Sequence, residues 1–149
     1  MYHTCLRIVV YDTDAEDILQ EAFMEAFTRL DKLKNIEAFG GWLKGIVINK
    51  SLNFIKRSRQ SWVELEETGL YNTAVEEQID EHAFQQKIEL ITEALGLLPD
   101  KYRIVINLHV FEGMSFEEIA AMMETPSATI RSQYLRGRQK ILSSIGHKI

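Results

Sequence analysis

Four residues near the C-terminal end of the chain, Arg131, Ser132, Leu135 and Arg136, have the types and the spacing needed to contact duplex DNA. Their spacing places them on one face of an α-helix. On such a face an arginine can donate to O6 and N7 of guanine, a serine can donate or accept, and a leucine can touch the methyl group of thymine. These residues therefore predict a recognition helix that enters the major groove.

The residues before this face carry the signals of a helix-turn-helix. Ser115 and Glu118 have the spacing of a capping box, which predicts a short helix over residues 116–123. Thr125 can cap the last helix, and Pro126 can occupy its first position, where a missing N–H costs nothing. The core side of that helix is predicted to consist of Ile130, Tyr134, Gly137, Ile141 and Ile145.

A second group of candidate residues lies in the N-terminal half. Asn49, Asn53 and Lys56 fall on one helical stripe, and Lys50 and Arg57 lie beside it. Amides there can read the edges of unstacked bases while the cations hold phosphates, which is the chemistry of single-strand binding. The alternative is an ordinary polar helix face.

Helices must position both groups, and hydrophobic spacing predicts two of them in the N-terminal half. Thr13 and Glu16 have the spacing of a capping box that would begin the first helix. The second is expected over residues 37–57, although its glycines weaken it. The core-facing stripe of the first helix is predicted to be Ile18, Leu19, Ala22, Phe23, Ala26, Phe27 and Leu30.

The rest of the chain is predicted to be a linker followed by further helices. Residues 60–80 show neither a helical nor a strand period. Helix then resumes until Pro99, and the next helix ends near Gly113, which suits a left-handed C-cap. The fold is therefore predicted to be all-α, with two small helical domains, 1–59 and 81–149, joined by a flexible acidic linker.

Charge is distributed unevenly along a chain whose net charge at pH 7 is −5. Residues 38–60 and 127–149 each contain five basic residues and no acid, whereas residues 61–100 contain ten acids and one lysine. The net acidity argues against nucleic-acid binding, since such proteins usually carry a basic footprint. The distribution predicts instead two basic surfaces separated by an acidic segment.

The sequence lacks the residue groupings of a metalloprotein or a disulfide-linked protein. Cys5 is the only cysteine, and the four histidines show no ligand spacing. No apolar run of about 18 residues and no signal peptide are found. We find no set of nucleophile, base and orienting group, although an enzyme built from scattered carboxylates stays open as a rival class. We therefore expect a cytoplasmic, non-enzymatic protein without cofactor, metal or membrane insertion.

Both halves of the chain resemble one family, the bacterial alternative sigma factors of the extracytoplasmic-function (ECF) group. Residues 14–23 are similar to the family's helix that docks on the clamp helices of the RNA polymerase β′ subunit, and residues 38–57 to its helix that reads the −10 element. The residues that match the family's C-terminal motif are Leu98, Pro99, Tyr102, Glu112, Gly113, Ser115, Glu117, Glu118, Ile119, Ala120, Thr129, Ile130, Arg131, Ser132, Arg136 and Arg138.

The resemblance implies an alternative sigma factor that binds core RNA polymerase, at the β′ clamp helices and the β flap, and directs initiation at promoters. The clamp helices would be contacted by Asp17, Gln20, Glu21 and Glu25, which otherwise form a solvated acidic face. The −10 element would be read by Asn49, Lys50, Asn53, Lys56 and Arg57, and the −35 element by Thr129, Arg131, Ser132, Leu135, Arg136 and Arg138. An anti-sigma factor that covers both domains is a further implied partner.

The sequence departs from the family pattern at several positions. Glu124 stands in the turn where glycine or asparagine is commoner, which predicts a mildly strained left-handed backbone. Gly137 replaces a frequent alanine and is expected to weaken the last helix. Family members usually carry further residues before the position of Met1. Either the start has been trimmed, or the domain is built from fewer helices and borrows packing from a partner or a second copy. Four apolar side chains are then expected to be exposed: Tyr2, Leu6, Ile8 and Val9.

A conventional helix-turn-helix regulator is the alternative to a sigma factor. It would use its N-terminal half for dimerisation or sensing, bind a palindromic operator and lack affinity for polymerase. In either class, the five cations of the C-terminal patch are too few for tight binding at physiological salt. A sigma factor avoids this limit because polymerase tethers both halves near adjoining DNA elements.

Overall fold

The computed structural model describes residues 1–58 and 81–146, and all regular secondary structure within them is helical. This confirms the predicted all-α fold class. In these two stretches no helix is both long and apolar enough to cross a membrane. The predicted linker, residues 60–80, lies outside the described residues, as do Arg59 and residues 147–149.

Three helices form the N-terminal half: α1 (Tyr2–Val9), α2 (Asp12–Thr28) and α3 (Phe39–Ser58). Two short 3₁₀ turns, Leu30–Lys32 and Ile36–Ala38, connect α2 to α3. Each of the three helices packs on the other two, so they form one small bundle.

Helix α2 presents a narrow stripe of mostly small residues to the rest of the bundle, and this overturns part of its predicted core face. Its buried positions are Ala15, Ile18, Ala22 and Ala26. Because small residues let α1 and α3 approach closely, the large side chains beside the stripe lie outside the contact. The predicted burial of Phe23, Phe27 and Leu30 is therefore wrong: they are 41%, 75% and 44% exposed.

The predicted start of α2 is also wrong in detail. The helix begins at Asp12, after an extended Tyr11, and has no side-chain cap hydrogen bond, so Thr13 lies inside the first turn. Tyr2 instead anchors this end, because its hydroxyl donates to a carboxylate oxygen of Asp12 at 2.7 Å. That hydrogen bond, together with burial and nearby acids, raises the pKa of Tyr2 to about 12.

Four helices form the described C-terminal half: α4 (Glu81–Leu97), α5 (Asp100–Ile106), α6 (Phe116–Met123) and α7 (Ser127–Gly146). A π-helical segment, Asn107–Phe111, continues α5. Helix α7 packs on α4, α5 and α6. Helices α6 and α7 form the predicted helix-turn-helix.

Helix ends in this motif follow the sequence signals with one exception. The Ser115 hydroxyl accepts from the N–H of Glu118 at 3.1 Å, and the Glu118 carboxylate accepts from the N–H of Ser115 at 2.8 Å, which confirms the capping box. Gly113 is left-handed as predicted, with a φ of 68°. The predicted Thr125 cap is wrong. The first backbone hydrogen bonds of α7 are accepted by the carbonyl oxygen of Pro126, and the Thr125 hydroxyl donates to the carbonyl oxygen of Met123 at 3.0 Å.

The two halves share one hydrophobic core. Helix α1 packs on α2 and α3 and also on α5 and the π-helical segment of the C-terminal half. The expected exposure at the start of the chain is therefore wrong, because α1 packs against helices of both halves. Ile8 and Val9 are buried, and Tyr2 and Leu6 are half-buried.

Candidate nucleic-acid interface

Helix α7 turns the predicted duplex-reading residues away from the core. Ile130 and Gly137 are buried on its core side. Between residues 127 and 146 the helix contains no acidic residue, so its outer face is basic. On that face Arg131, Ser132, Leu135, Arg136 and Arg138 are exposed and Thr129 is half-buried.

Arg131 is held at the edge of this face by the neighbouring helix α6. Its guanidinium donates to the Glu117 carboxylate at 2.5 Å, and its Cζ lies 6.0 Å from the ring centroid of Phe116. Both members of the ion pair are more than half exposed, so solvent screens their attraction. The contact therefore orients the guanidinium more than it stabilises the fold.

Aromatic side chains fix the crossing of α6 and α7 behind the recognition face. His109 stacks on Phe116 with ring centroids 4.3 Å apart, and Tyr134 meets these rings at 5.0 and 5.3 Å. Nδ1 of His109 also lies 2.8 Å from the carbonyl oxygen of Met114. Sequence reasoning missed this cluster, because its members come from different elements and have no common spacing. The left-handed turn between the helices was predicted, and Glu124 has a φ of 52°.

Helix α3 carries the second predicted DNA surface. Asn49, Asn53, Lys56 and Arg57 are exposed along it. The end of the surface at Asn49 faces the C-terminal half across a groove of about 500 Å³. The other residues that line the groove are Met114, Glu118, Ala121 and Met122.

Lys50, also predicted to contact DNA, is bound to the acidic face of α2. Its Nζ lies 2.9 Å from a carboxylate oxygen of Glu25 and 3.8 Å from one of Glu21. Arg29 pairs with the same Glu25 at 2.6 Å. Hydrogen bonds from Lys50 and Arg29 hold the pKa of Glu25 below its ordinary value. The structure thus joins one predicted −10 residue to two predicted polymerase-binding residues.

The remaining predicted polymerase-binding residues, Asp17 and Gln20, are exposed on α2, as is Glu21. The exposed Phe23 and Met24 lie next along the same helix. The outer surface of α2 is therefore a mixed acidic and apolar surface.

Two polar side chains of the C-terminal half cap the end of α1, a contact that sequence reasoning missed. Nη2 of Arg103 donates to the carbonyl oxygen of Ile8 at 2.8 Å, and Nδ2 of Asn107 donates to that of Arg7 at 2.8 Å. Arg103 is also paired with Asp100 at 2.5 Å. No sequence signal links residues about a hundred positions apart, so only the folded chain reveals this cap.

Glu112 adds ion pairs to the same contact. Its carboxylate lies 3.1 Å from Arg7 on α1 and 3.0 Å from Lys44 on α3. Burial raises the pKa of Glu112, but hydrogen bonds from Lys44, Thr4 and Arg7 outweigh it and hold the pKa below the ordinary value. From the sequence, Glu112 was identified only as a residue of the family motif, and no contact was predicted for it.

Family comparison identifies both halves of the chain. The family model for sigma-70 region 2 matches residues 1–61, and the one for sigma-70 region 4 matches residues 88–141. The ECF RNA polymerase sigma-E factor of Escherichia coli K12 is 32% identical over 137 residues, which are 86% of this chain and 72% of that protein. The RNA polymerase sigma-H factor of Pseudomonas aeruginosa is 31% identical over 145 residues, 91% of this chain and 75% of that protein.

A solved structure shares the arrangement of helices. It is the sigma factor RpoE of Bartonella quintana in complex with the anti-sigma factor NepR. Its TM-score with this chain is 0.61, at 22% sequence identity, and the match covers 97% of this chain and 89% of that one. At this level of identity the likeness shows a common fold.

Proposed function

The chain belongs to the ECF group of the sigma-70 family, and from this membership we propose which of its described surfaces contact each promoter element and RNA polymerase. Its function is that of an alternative sigma factor, which directs transcription initiation by RNA polymerase and is not an enzyme. The conventional regulator is not favoured, because sigma-70 regions 2 and 4 are both present.

The outer face of α7 is the proposed −35 reader. The observation that carries this assignment is the exposure of Arg131, Ser132, Leu135 and Arg136 on a helix face without acids. The arginines would donate to guanine edges and Leu135 would contact a thymine methyl group. Arg138 and the hydroxyl of Thr129 would hold backbone phosphates, which position the helix without reading sequence.

The exposed stripe of α3 is the proposed −10 reader. Asn49 and Asn53 would contact base edges of the melted strand, and Lys56 and Arg57 its phosphates. Lys50 has a different proposed role from the one expected, because its ammonium group is already bound to Glu25 and Glu21. It would hold α3 against α2 and so fix the position of the DNA-binding surface of α3 relative to the polymerase-binding surface of α2.

The acidic surface of α2 is the proposed contact with the β′ clamp helices. Asp17, Gln20 and Glu21 are exposed for it, whereas Glu25 is engaged by Lys50 and Arg29. In this scheme residues 1–59 act as the −10 and polymerase-binding domain, 60–80 as the linker and 81–149 as the −35 domain, which also contacts the β flap.

Two further proposals concern the setting of this function. The chain would act in the cytoplasm, where polymerase and its promoters are. An anti-sigma factor would hold it inactive by covering both domains. Support for the second proposal comes from the structural neighbour, a sigma factor solved in complex with an anti-sigma factor.

Run-off transcription with core polymerase tests the proposed function. Arg131→Ala and Arg136→Ala should impair initiation at promoters that depend on a −35 element while leaving core binding intact. Asp17→Ala should reduce core binding itself. If the chain supports no core-dependent initiation at any promoter, or if the arginine changes have no effect on promoter choice, the assignment of these surfaces fails.

A further inference from the structure

A pair of lysines lies beside the recognition helix, outside the set of residues predicted from the sequence to contact DNA. Nζ of Lys101, on α5, lies 5.0 Å from the ring centroid of Tyr102, and Nζ of Lys140, on α7, lies 5.8 Å from the same centroid. Tyr102 is 6% exposed, so its ring is a fixed support for both side chains. The fold thus brings two ammonium groups from different helices together at one buried ring.

The close packing of α5 on α7 fixes the position of this pair. Gly137 has no side chain that would separate the two helices, and Tyr102 lies directly against it. Lys101 adjoins Tyr102 in the chain and therefore stays beside α7. Asp100, the acid that precedes Lys101, is buried and paired with Arg103 at 2.5 Å, so its carboxylate is turned into the protein. The basic face of α7 therefore gains a cation from another helix.

Lys140 lies on the flank of α7 opposite the flank of Arg138, the residue already assigned to a phosphate. Successive residues of an α-helix are rotated by about 100°, so two residues that are two positions apart point to opposite sides. Arg138 shares the flank of Arg131, which contacts α6, whereas Lys140 lies over a ring of α5. The exposed Arg136 lies one helical turn before Lys140. The lysine pair therefore extends the recognition face on its α5 side.

A recognition helix in the major groove has a phosphate backbone on each side. The groove is about 12 Å wide, and an α-helix with its side chains is about 10–12 Å across, so cations on both flanks come within reach of phosphates. Arg138 is the proposed contact to one backbone. Lys101 and Lys140 lie on the flank that faces the other backbone.

We propose that Lys101 and Lys140 form a phosphate-binding site for the backbone of the −35 duplex on the α5 side of α7. The inference rests on the proposed function, because it needs α7 to lie in the major groove of that duplex. Two ammonium groups held against one ring repel each other, and a phosphate bound by both relieves the repulsion. Lysine binds phosphate as a point charge, so the site strengthens binding and orients the helix but adds no sequence preference.

Salt-dependent binding of the full chain to short labelled duplexes tests the proposal. One duplex contains the −35 element of a promoter at which the holoenzyme initiates, and in the other that element is scrambled. Because the double variant Lys101→Gln/Lys140→Gln loses one phosphate contact, its slope of log affinity against log salt concentration should be shallower by about 0.9. With equal affinities at about 1 M salt, this corresponds to about an eightfold loss at about 0.1 M, the same for both duplexes.

Two double variants serve as matched controls. Lys32→Gln/Lys34→Gln removes the same two charges from exposed positions between α2 and α3, and it should leave the slope unchanged. Lys101→Arg/Lys140→Arg keeps both charges and should bind both duplexes like the wild type. This rescue separates a phosphate contact from a role in folding of the α5 and α7 packing.

A third control identifies base reading. Arg136→Ala should remove the preference for the −35 duplex over the scrambled one, because Arg136 is assigned to a base edge and not to this site. The lysine variants should keep that preference, since their loss is equal on the two duplexes.

The outcomes separate this inference from the proposed function. An unchanged slope in Lys101→Gln/Lys140→Gln, or a loss no larger than that of Lys32→Gln/Lys34→Gln, contradicts the phosphate site. A loss confined to the −35 duplex also contradicts it, because the lysines would then read bases. If the wild-type chain binds both duplexes equally, the assignment of α7 as the −35 reader fails, whereas the slopes measured on either duplex still decide the phosphate site.

Discussion

Gly137 of α7 lies against Ile106 of α5 so closely that a Cβ at Gly137 would stand 2.7 Å from Ile106 Cδ1. It would also stand 2.9 Å from Cβ of Tyr102. We therefore expect Gly137→Ala to lower the free energy of unfolding by about 1–3 kcal/mol, in spite of alanine's higher helix propensity. Denaturant unfolding of the wild type and the variant measures the difference.

Gly45→Ala is the matched control for this prediction. Gly45 lies inside α3, and a Cβ added there would meet nothing within 4 Å. The same substitution should raise the free energy of unfolding by up to about 1 kcal/mol, because alanine favours the helix. Equal effects of the two substitutions would contradict the close approach of α5 and α7.

Gly137 also shows where sequence reasoning was incomplete. Its position on the core side of the last helix was predicted, but it was expected only to weaken that helix. The structure gives the glycine a positive role, because it lets α5 and α7 touch. Hydrophobic periodicity predicts which face of a helix is buried, but it does not predict how closely two helices approach each other.

The two predicted caps of the helix-turn-helix should differ in their contribution to stability. Ser115→Ala removes an observed capping box and should cost about 1 kcal/mol in the free energy of unfolding. Thr125→Ala should cost less, because the Thr125 hydroxyl caps no N–H of α7 and only donates to Met123. Thermal or denaturant unfolding of both variants compares them, and a larger loss at Thr125 would contradict the assigned helix start.

The ion pair between Glu117 and Arg131 should sharpen promoter choice. Glu117→Gln should lower discrimination at the base pair that Arg131 reads by up to about fivefold, the range of an exposed ion pair. Arg131→Ala should abolish discrimination there, and adding Glu117→Gln to it should have no further effect. Competition binding of holoenzyme to promoters that differ at one −35 position measures this.

Glu124→Gln is the charge control for that experiment. It removes one negative charge from the same motif without touching Arg131, since Glu124 lies in the turn between α6 and α7. Unchanged discrimination in this variant is expected. An effect as large as that of Glu117→Gln would show that overall charge, and not orientation of Arg131, is responsible.

The acids of α2 should contribute unequally to polymerase binding. The charge of Glu25 is already paired with Arg29 and Lys50, whereas Asp17 is exposed near the start of the helix. Asp17→Asn should therefore weaken core binding more than Glu25→Gln, and added salt should reduce the difference. Equilibrium titration of core polymerase with labelled chain tests the order. A greater loss at Glu25 would contradict it.

Short-range sequence signals were enough to predict several features of this structure, whereas contacts between residues far apart in the chain were missed. Residue types and spacings of a few residues predicted the capping box of Ser115 and Glu118, the left-handed Gly113 and the outward face of α7. The exposure of Phe23 and Phe27 was missed because the periodic stripe of hydrophobic residues does not reveal how wide the buried face of α2 is. The burial of Ile8 was missed for a related reason, since part of the packing of α1 comes from α5, far along the chain.

Cross-linking within the open promoter complex tests the central claim most directly. A photo-cross-linking amino acid at Leu135 should attach to the −35 duplex, and one at Asn53 should attach to the melted strand of the −10 element, about 25 base pairs away on the numbering of the elements and about 85 Å along the duplex. Cross-links of both positions to the same element, or of Leu135 to the −10 strand, would contradict the division of promoter reading between α7 and α3.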